Sequence, residues 1–445
     1  MARRRQRKKT SIIIPLSIDG LSHDGRGLAS LEGKRIFVEG ALPDEQVEAE
    51  IYQRRSRFDE ARTLAVINAS AERVDPQCAH VALCGGCSLQ HLSGDGQIAM
   101  KQASLLEQLN HFGAIHPIKV REPIRDSLYG YRRKARLAVR HVSKREEVLV
   151  GFREKASNFI TDIRQCEVLD PRVGRLIMPL RELIVELDAA RTIAQIEVAM
   201  GDEQTALVFR HLEPLSDNDC RQLVTFAREH ALELYLQPGK ITSVHKLYPP
   251  TTDDRLTYAL PDFDLEMRFH PMDFTQVNAG VNQQMVKAAV TALNPQPGER
   301  VLDLFCGLGN FTLPLARSGA EVIGVEGSEL MVERGFENAR HNGVESVSFF
   351  AADLTQPFID QPWASGGFDR ILIDPPRSGA KEIVEEITKF NARRIVYVSC
   401  NPATLARDAG ILKERGYDLL EVGIMDMFPH TAHVESLGVF ERSNK

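Results

Sequence analysis

From Phe274 onward the chain alternates short apolar runs with helix-like stretches, and this pattern limits the fold more tightly than any other feature. Strands are predicted at 300–304, 321–325, 347–350, 370–373, 394–398, 418–425 and 436–441. The alternation predicts βαβ units in a doubly wound, largely parallel Rossmann-like sheet with a hairpin-like C-terminal end. In such a sheet, ligands bind outside the carboxyl ends of the strands. Two predicted strands end there in reactive groups. One ends in Asp374, on a stiff Pro375-Pro376 turn, and another runs through Ser399 into Cys400, followed by Asn401-Pro402. A thiol at that edge is well sited to act as a nucleophile, although buried inert cysteines are common elsewhere.

The first strand of the series leads through Phe305 and Cys306 into Gly307, Gly309 and Asn310. Glycine lets the backbone come close to a ligand. The next strand ends in Glu326, nineteen residues after Gly307, where an acid commonly accepts hydrogen bonds from ribose hydroxyls. The third leads to Asp353, suited to an adenine amino group. The third glycine of a dinucleotide fingerprint is missing, as is a phosphate-cradling lysine. Nothing here calls for a pyrophosphate, so the pattern favours S-adenosylmethionine over NAD or ATP.

A length of 445 residues predicts several domains. Residues 10–70 read as a small, OB-like β-barrel of short strands broken by glycines. It carries a basic and aromatic stretch, Tyr52 to Phe58, of the kind that binds single-stranded nucleic acid or forms an ordinary edge strand. Residues 71–270 read as a central, mostly antiparallel α+β domain, with Lys134, Arg136 and Arg140 predicted to share one strand face, either a phosphate-tracking strip or a solvated face. Residues 271–445 form the cofactor-binding domain. The net charge of −6 argues against a protein that is basic all over, but Arg3 to Lys9 carries six positive charges in seven residues. That run is either a solvated tail or an arm for phosphates. No apolar run approaches the ~20 residues of a membrane span, and the N-terminus lacks the apolar core of a secretory signal. The expected location is the cytoplasm, away from membranes.

Seven cysteines in a cytosolic chain are expected to be thiols, metal ligands or catalysts. Cys78, Cys84 and Cys87 cluster around Gly85-Gly86, and a loop with three such ligands requires a fourth. Cys166 is the best candidate; Cys220 lies in a polar, helical-looking stretch. Four thiolates suit zinc or an iron–sulfur cluster, and spacing alone does not decide between them.

A thiol beside a methyl-donor site fits one chemistry well. Pyrimidine C5 is too weak a nucleophile to take a methyl group directly. Addition of a thiolate at C6 makes it one, and a base must then remove the C5 proton. Pro429-His430-Thr431-Ala432-His433-Val434-Glu435 begins 29 residues after Cys400, and its carboxylate Glu435 is assigned as that base. His430 and His433 have no matching ligand set nearby that would make a metal site.

The motifs Asp374-Pro375-Pro376-Arg377, Ser399-Cys400-Asn401-Pro402 and His433-Val434-Glu435 resemble the signature of the RNA uracil-5-methyltransferases. Phe274-Thr275-Gln276-Val277-Asn278 is similar to that family's glutamine motif. The resemblance implies a class I methyltransferase sheet whose cofactor contacts are Gln276, Phe305, Asn310, Glu326, Asp353 and Asp374. It also implies Cys400 as nucleophile and Glu435 as proton acceptor. The cysteine loop resembles the [4Fe-4S] loop of the family's ribosomal members, and the first domain resembles the TRAM RNA-binding module. Together these imply a [4Fe-4S] cluster on Cys78, Cys84, Cys87 and Cys166, and 23S rRNA as substrate. No protein partner is indicated, and a monomer is expected. The rivals are an RNA adenine-N6 methyltransferase, which also uses Asp-Pro-Pro turns, and a non-catalytic rRNA assembly factor. Neither needs the Cys400 and Glu435 pair.

Overall fold

The computed structural model describes residues 12–443 apart from Thr252 and Ile359, so the basic run from Arg3 to Lys9 lies outside the described residues. The chain forms two compact units. One holds the described residues up to Ala82 together with Gly86–Ser104 and Pro429–His433, and the other holds Leu83–Gly85, Leu105–Phe428 and the chain from Val434 on.

The first unit is built on a six-stranded sheet. Its order is Ile12–Ser17, Gln46–Arg54, Phe58–Asn68, Lys34–Glu39, Gly27–Leu31, Gly20–Leu21. The two outermost strands are joined by only Ile18 and Asp19, so the sheet must curl back on itself as a small barrel. Alternation along Gln46–Arg54 turns Val47, Ala49 and Ile51 inward against Leu16, Ile36, Val38 and Ala61. In the same unit, the buried side chain of Gln97 ties down the segment from Pro429. Its amide oxygen accepts from the backbone N–H of His430 at 2.7 Å, and its nitrogen lies 3.2 Å from His430 Nδ1. The backbone amides of Ser88 and Leu89 donate to the His430 carbonyl at 2.8 and 3.0 Å. His430 thus serves to hold a loop, using backbone and ring together.

The second unit contains two sheets. The first has the order His245–Tyr248, Glu233–Gln237, Thr205–His211, Ile193–Met200, Lys134–Val142, Glu147–Gly151. All its neighbours are antiparallel except Thr205–His211 with Glu233–Gln237. This is the mostly antiparallel α+β pattern expected of the central region. The strip of cations on it needs a correction. Lys134 is half-buried and its ammonium donates to the backbone carbonyls of Pro271 (3.2 Å) and Asp273. Burial lowers its pKa to about 8, against the opposing charges of Asp273 and Glu197. Arg136 and Arg140 alone remain on the exposed face, with Arg136 paired to Glu197 at 2.6 Å.

The second sheet has eight strands in the order Val347–Ala351, Glu321–Glu326, Arg300–Leu304, Arg370–Ile373, Arg394–Ser399, Glu435–Arg442, Tyr417–Met425, Lys119–Val120. The first five are parallel, and Glu435–Arg442 runs antiparallel to both of its neighbours. The sheet order reverses on either side of Arg300–Leu304, which creates a switch-point crevice at the carboxyl ends. Strands buried on both faces read as continuous apolar runs, and Arg370–Ile373 is buried at every position. No helix among the described residues is long and apolar enough to cross a membrane.

Asp408, on the helix Pro402–Glu414, braces this edge. Its fully buried carboxylate accepts from the Tyr397 hydroxyl at 2.6 Å and from the Ala380 amide at 2.8 Å. It thereby ties the strand leading to Cys400 to the end of the Asp374 turn. That turn closes at Gly379 with φ +80°, where a Cβ would stand 2.6 Å from Asp408 Oδ2. Asp408→Ala leaves two buried donors without an acceptor, so a loss of about 2–5 kcal/mol is expected in urea unfolding. A loss below about 1 kcal/mol would show that the brace is not structural.

Candidate active site

The carboxyl ends of the parallel strands set most of the site. Leu304 pairs with both Val325 and Ile373, so Phe305, Glu326 and Asp374 come level at the end of three adjacent strands. Asp353 follows the fourth, two residues after Ala351. Phe305 leaves its strand with φ +64°, a left-handed conformation that costs roughly 1–3 kcal/mol for a residue with a side chain. Its amide and that of Cys306 both donate to the Val325 carbonyl, at 2.8 and 3.1 Å, which holds the sharp exit in place. The chain then turns through Gly307 (φ +56°) and Gly309 (φ +95°). A Cβ on Gly307 would meet nothing within 4 Å, so this part of the turn faces open space. The Gly307 amide donates to Glu326 Oε2 at 3.1 Å, and the Ser328 amide donates to Oε1 at the same distance. Asp353 is exposed, and donation from the Thr355 amide and hydroxyl holds its pKa below the usual carboxylate range.

Gln276 and Asn310 lie off the strand ends and share Tyr258 and Asn282 as neighbours. Gln276 precedes the helix Ala279–Leu293, which Asn278 caps by accepting from the Val281 amide at 3.2 Å. It lines a cleft with Arg133, Tyr258 and Asn282. The Asn310 Oδ1 accepts from the Tyr258 hydroxyl at 2.8 Å and from Asn282 Nδ2 at 3.2 Å. Asn310 Nδ2 donates back to Asn282 Oδ1 at 2.9 Å. Sequence reasoning had no way to find Tyr258 and Asn282, because they lie 52 and 28 residues from Asn310.

Asp303 is the other residue missed, and it carried a signal: a lone acid inside the apolar run Val301 to Phe305. It is fully buried, and burial pushes its pKa up to about 8, with the nearby Asp374 and Glu326 charges adding to the effect against a hydrogen bond from Thr312. Its Oδ1 has no hydrogen-bond partner among the described residues. Burial likewise raises Asp374 to about 7. These acids and the open glycine turn fit S-adenosylmethionine, which brings ribose hydroxyls, an adenine amino group and a cationic sulfonium to be met by carboxylates.

The expected nucleophile, Cys400, and the expected base, Glu435, are brought together by strand register. Arg394–Ser399 pairs antiparallel with Glu435–Arg442, and the last matched pair is Ser399 with Ser436. One further step puts Cys400 opposite Glu435. Both side chains are half-buried. The Cys400 thiol is raised to about 11, first by burial, then by the charges of Glu435 and Asp374, with Arg377 opposing. The surroundings therefore favour the thiol at rest.

The four expected metal ligands divide between the units. Cys78 and Cys87 belong to the first, and Cys84 and Cys166 to the second. Cys84 bridges Glu154, and the Cys166 amide donates to the Gly174 carbonyl at 3.0 Å. Among the described residues, no group of three or more His, Cys, Asp or Glu side chains is arranged to hold a metal ion. The basic and aromatic stretch from Tyr52 lies at a strand turn of the barrel, with Arg54, Arg55 and Arg57 exposed. The Arg55 guanidinium sits 5.4 Å from the Phe58 ring centre, and Phe58 meets Phe37 edge-on at 5.3 Å.

The raised thiol has a measurable consequence. In the protein without ligands, iodoacetamide labelling of the Cys400 peptide should climb about tenfold per pH unit from 7 toward 10, because only the thiolate reacts. A labelling midpoint at or below an ordinary cysteine's pKa of about 8.5 would contradict this environment.

Comparison with known proteins places the chain in a family. A sequence model described as tRNA (Uracil-5-)-methyltransferase matches residues 97–443, and one described as TRAM domain matches residues 9–64. The chain is 52% identical over 440 residues to a protein of Alkalilimnicola ehrlichii named 23S rRNA (uracil(1939)-C(5))-methyltransferase RlmD, covering 99% of each chain. A protein of the same name from Hahella chejuensis is 50% identical, over 99% of this chain and all of its own. The crystal structure of Pyrococcus abyssi tRNA (uracil-54, C5)-methyltransferase in complex with S-adenosyl-L-homocysteine superposes with a TM-score of 0.74 at 26% identity, covering 96% of this chain and 100% of that one. The chain belongs to the RNA uracil-5-methyltransferase family, with a class I methyltransferase sheet and an N-terminal TRAM domain.

Proposed function

We propose that this protein methylates C5 of a uridine in 23S rRNA through a temporary bond between Cys400 and C6 of the base. The names of its full-length relatives support the substrate. The observation that carries the mechanism is the strand register that sets Cys400 across from Glu435, one strand away from Asp374.

S-adenosylmethionine, when bound, supplies an electrophilic methyl group to C5. Gln276, Phe305, Asn310, Glu326, Asp353 and Asp374 would hold it, four of them at the ends of the parallel strands. The Cys400 sulfur adds to C6 as its proton passes to solvent water, and the C5=C6 electrons move toward O4, making C5 nucleophilic. Once C5 carries both its hydrogen and the methyl group, Glu435 accepts the C5 proton. The electrons left behind re-form C5=C6 and expel the sulfur. The base must leave its stack to reach the thiol, as in other base-modifying enzymes. The exposed cations of the barrel turn and of the strand Lys134–Val142 supply salt-dependent affinity.

Cys78, Cys84, Cys87 and Cys166 are proposed to hold a [4Fe-4S] cluster. Their four thiolates are the donor set such a cluster takes, and the proposal rests on that chemistry and on the spacing Cys78, Cys84, Cys87. The cluster would be structural and enters no chemical step.

Two experiments test the reading. Ribosomal RNA tritiated at uridine C5 should release tritium only when S-adenosylmethionine is added, and Cys400→Ala should abolish release. Glu435→Gln should slow release by about 10²–10⁴-fold while a protein–RNA adduct accumulates. Adenine-N6 methylation or simple RNA binding releases no tritium, and either result would sink the proposal. For the cluster, protein purified without oxygen should contain about four irons per chain, lost in Cys87→Ser. Stoichiometric zinc instead would overturn it.

A further inference from the structure

Asn310 sits in a hydrogen-bond network that leaves it one way to act. Its Oδ1 accepts from both the Tyr258 hydroxyl (2.8 Å) and Asn282 Nδ2 (3.2 Å), which uses both lone pairs of the amide oxygen. One Nδ2 hydrogen is spent on Asn282 Oδ1 at 2.9 Å. A single N–H remains. The three residues come from separate rigid elements: Tyr258 from the strand Leu256–Leu260, Asn282 from the helix Ala279–Leu293, and Asn310 from the turn before the helix Thr312–Ala316. Asn282 is only 4% exposed, and burial keeps the Tyr258 hydroxyl protonated, a donor rather than an oxyanion. Tyr258 and Asn282 also line the cleft that contains Gln276.

We propose that Tyr258 and Asn282 are positioning residues that lock Asn310 as a donor only, so that it receives an acceptor oxygen of the cofactor and not its ammonium group. The inference rests on the reading of Asn310 as a cofactor contact. The acceptor is either the carboxylate of the methionyl part or an oxygen of the ribose. A locked amide has already lost its rotational freedom before the ligand arrives, which favours binding.

The test is calorimetric binding of S-adenosylhomocysteine to the full chain, together with KM and kcat for methyl transfer. Asn310→Ala should weaken binding about tenfold. Asn310→Asp should weaken it at least as much, because a carboxylate cannot donate and repels an acceptor oxygen. Tyr258→Phe and Asn282→Ala should each raise the cofactor KM severalfold while kcat at saturation stays near wild type; a purely structural role would not divide the two constants in this way. If Asn310→Asp binds as tightly as wild type, Asn310 accepts rather than donates, and the proposal is overturned. If Asn310→Ala weakens binding while Tyr258→Phe and Asn282→Ala do nothing, the positioning claim fails on its own. If Asn310→Ala itself binds normally, the underlying reading of Asn310 fails. 5′-Methylthioadenosine, which lacks the amino-acid part, separates the two acceptors. It should bind the Asn310 variants as it binds wild type if the carboxylate is the partner, and more weakly if the ribose is.

Discussion

The site depends on one antiparallel pairing. The strand Glu435–Arg442 inserts between Arg394–Ser399 and Tyr417–Met425, and its register matches Ser399 to Ser436. A slip of one residue would turn every side chain of the strand to the opposite face of the sheet. The buried run Ser436 to Phe440 makes such a slip costly, because it would move well-packed positions out of their core contacts. Packing therefore specifies which acid stands across from the thiol. The loop that leads into Glu435 is itself fixed within the first unit by Gln97 and by the amides of Ser88 and Leu89.

Three groups along this edge resist negative charge in the protein without ligands. Asp303, Asp374 and Cys400 have pKa values raised to about 8, 7 and 11, in each case with burial as the largest cause. A cation entering the site would reverse that balance, and a sulfonium is a cation. The same acids that disfavour a resting thiolate are thus suited to a positively charged methyl donor. Arg377, whose charge lowers the thiol's pKa, follows directly on the Asp374 turn. The turn is in turn held by Asp408 and Tyr397. Fold and chemistry meet in a few buried polar contacts.

Much of this was legible along the chain, for physical reasons. The strands 300–304 and 370–373 fall where the apolar runs put them, because strands covered on both faces are mostly apolar. Glycines at 307 and 309 announced a sharp turn after the first strand through their backbone freedom, and both adopt positive φ. The edge residues Glu326, Asp374 and Cys400 followed from strand ends alone. What escaped notice depends on contacts between distant segments. Lys134 looks like its neighbours Arg136 and Arg140, and only the approach of Pro271 and Asp273 turns it inward. The short strands Gly20–Leu21 and Gly27–Leu31 were hidden by the glycines that let the barrel bend. Tyr258 and Asn282 have no local pattern that marks them as partners of Asn310.

The most direct test of the central claim uses a substrate that cannot complete the reaction. A 23S rRNA fragment with 5-fluorouridine at the target has fluorine where the departing proton should be, so a base cannot finish the cycle. Incubated with S-adenosylmethionine, the enzyme should give, by intact mass and peptide mapping, one RNA-linked species per chain, joined at Cys400 and carrying the transferred methyl group. If no such species forms while the ordinary RNA fragment is methylated at C5 under the same conditions, the sulfur–carbon bond is not part of the reaction.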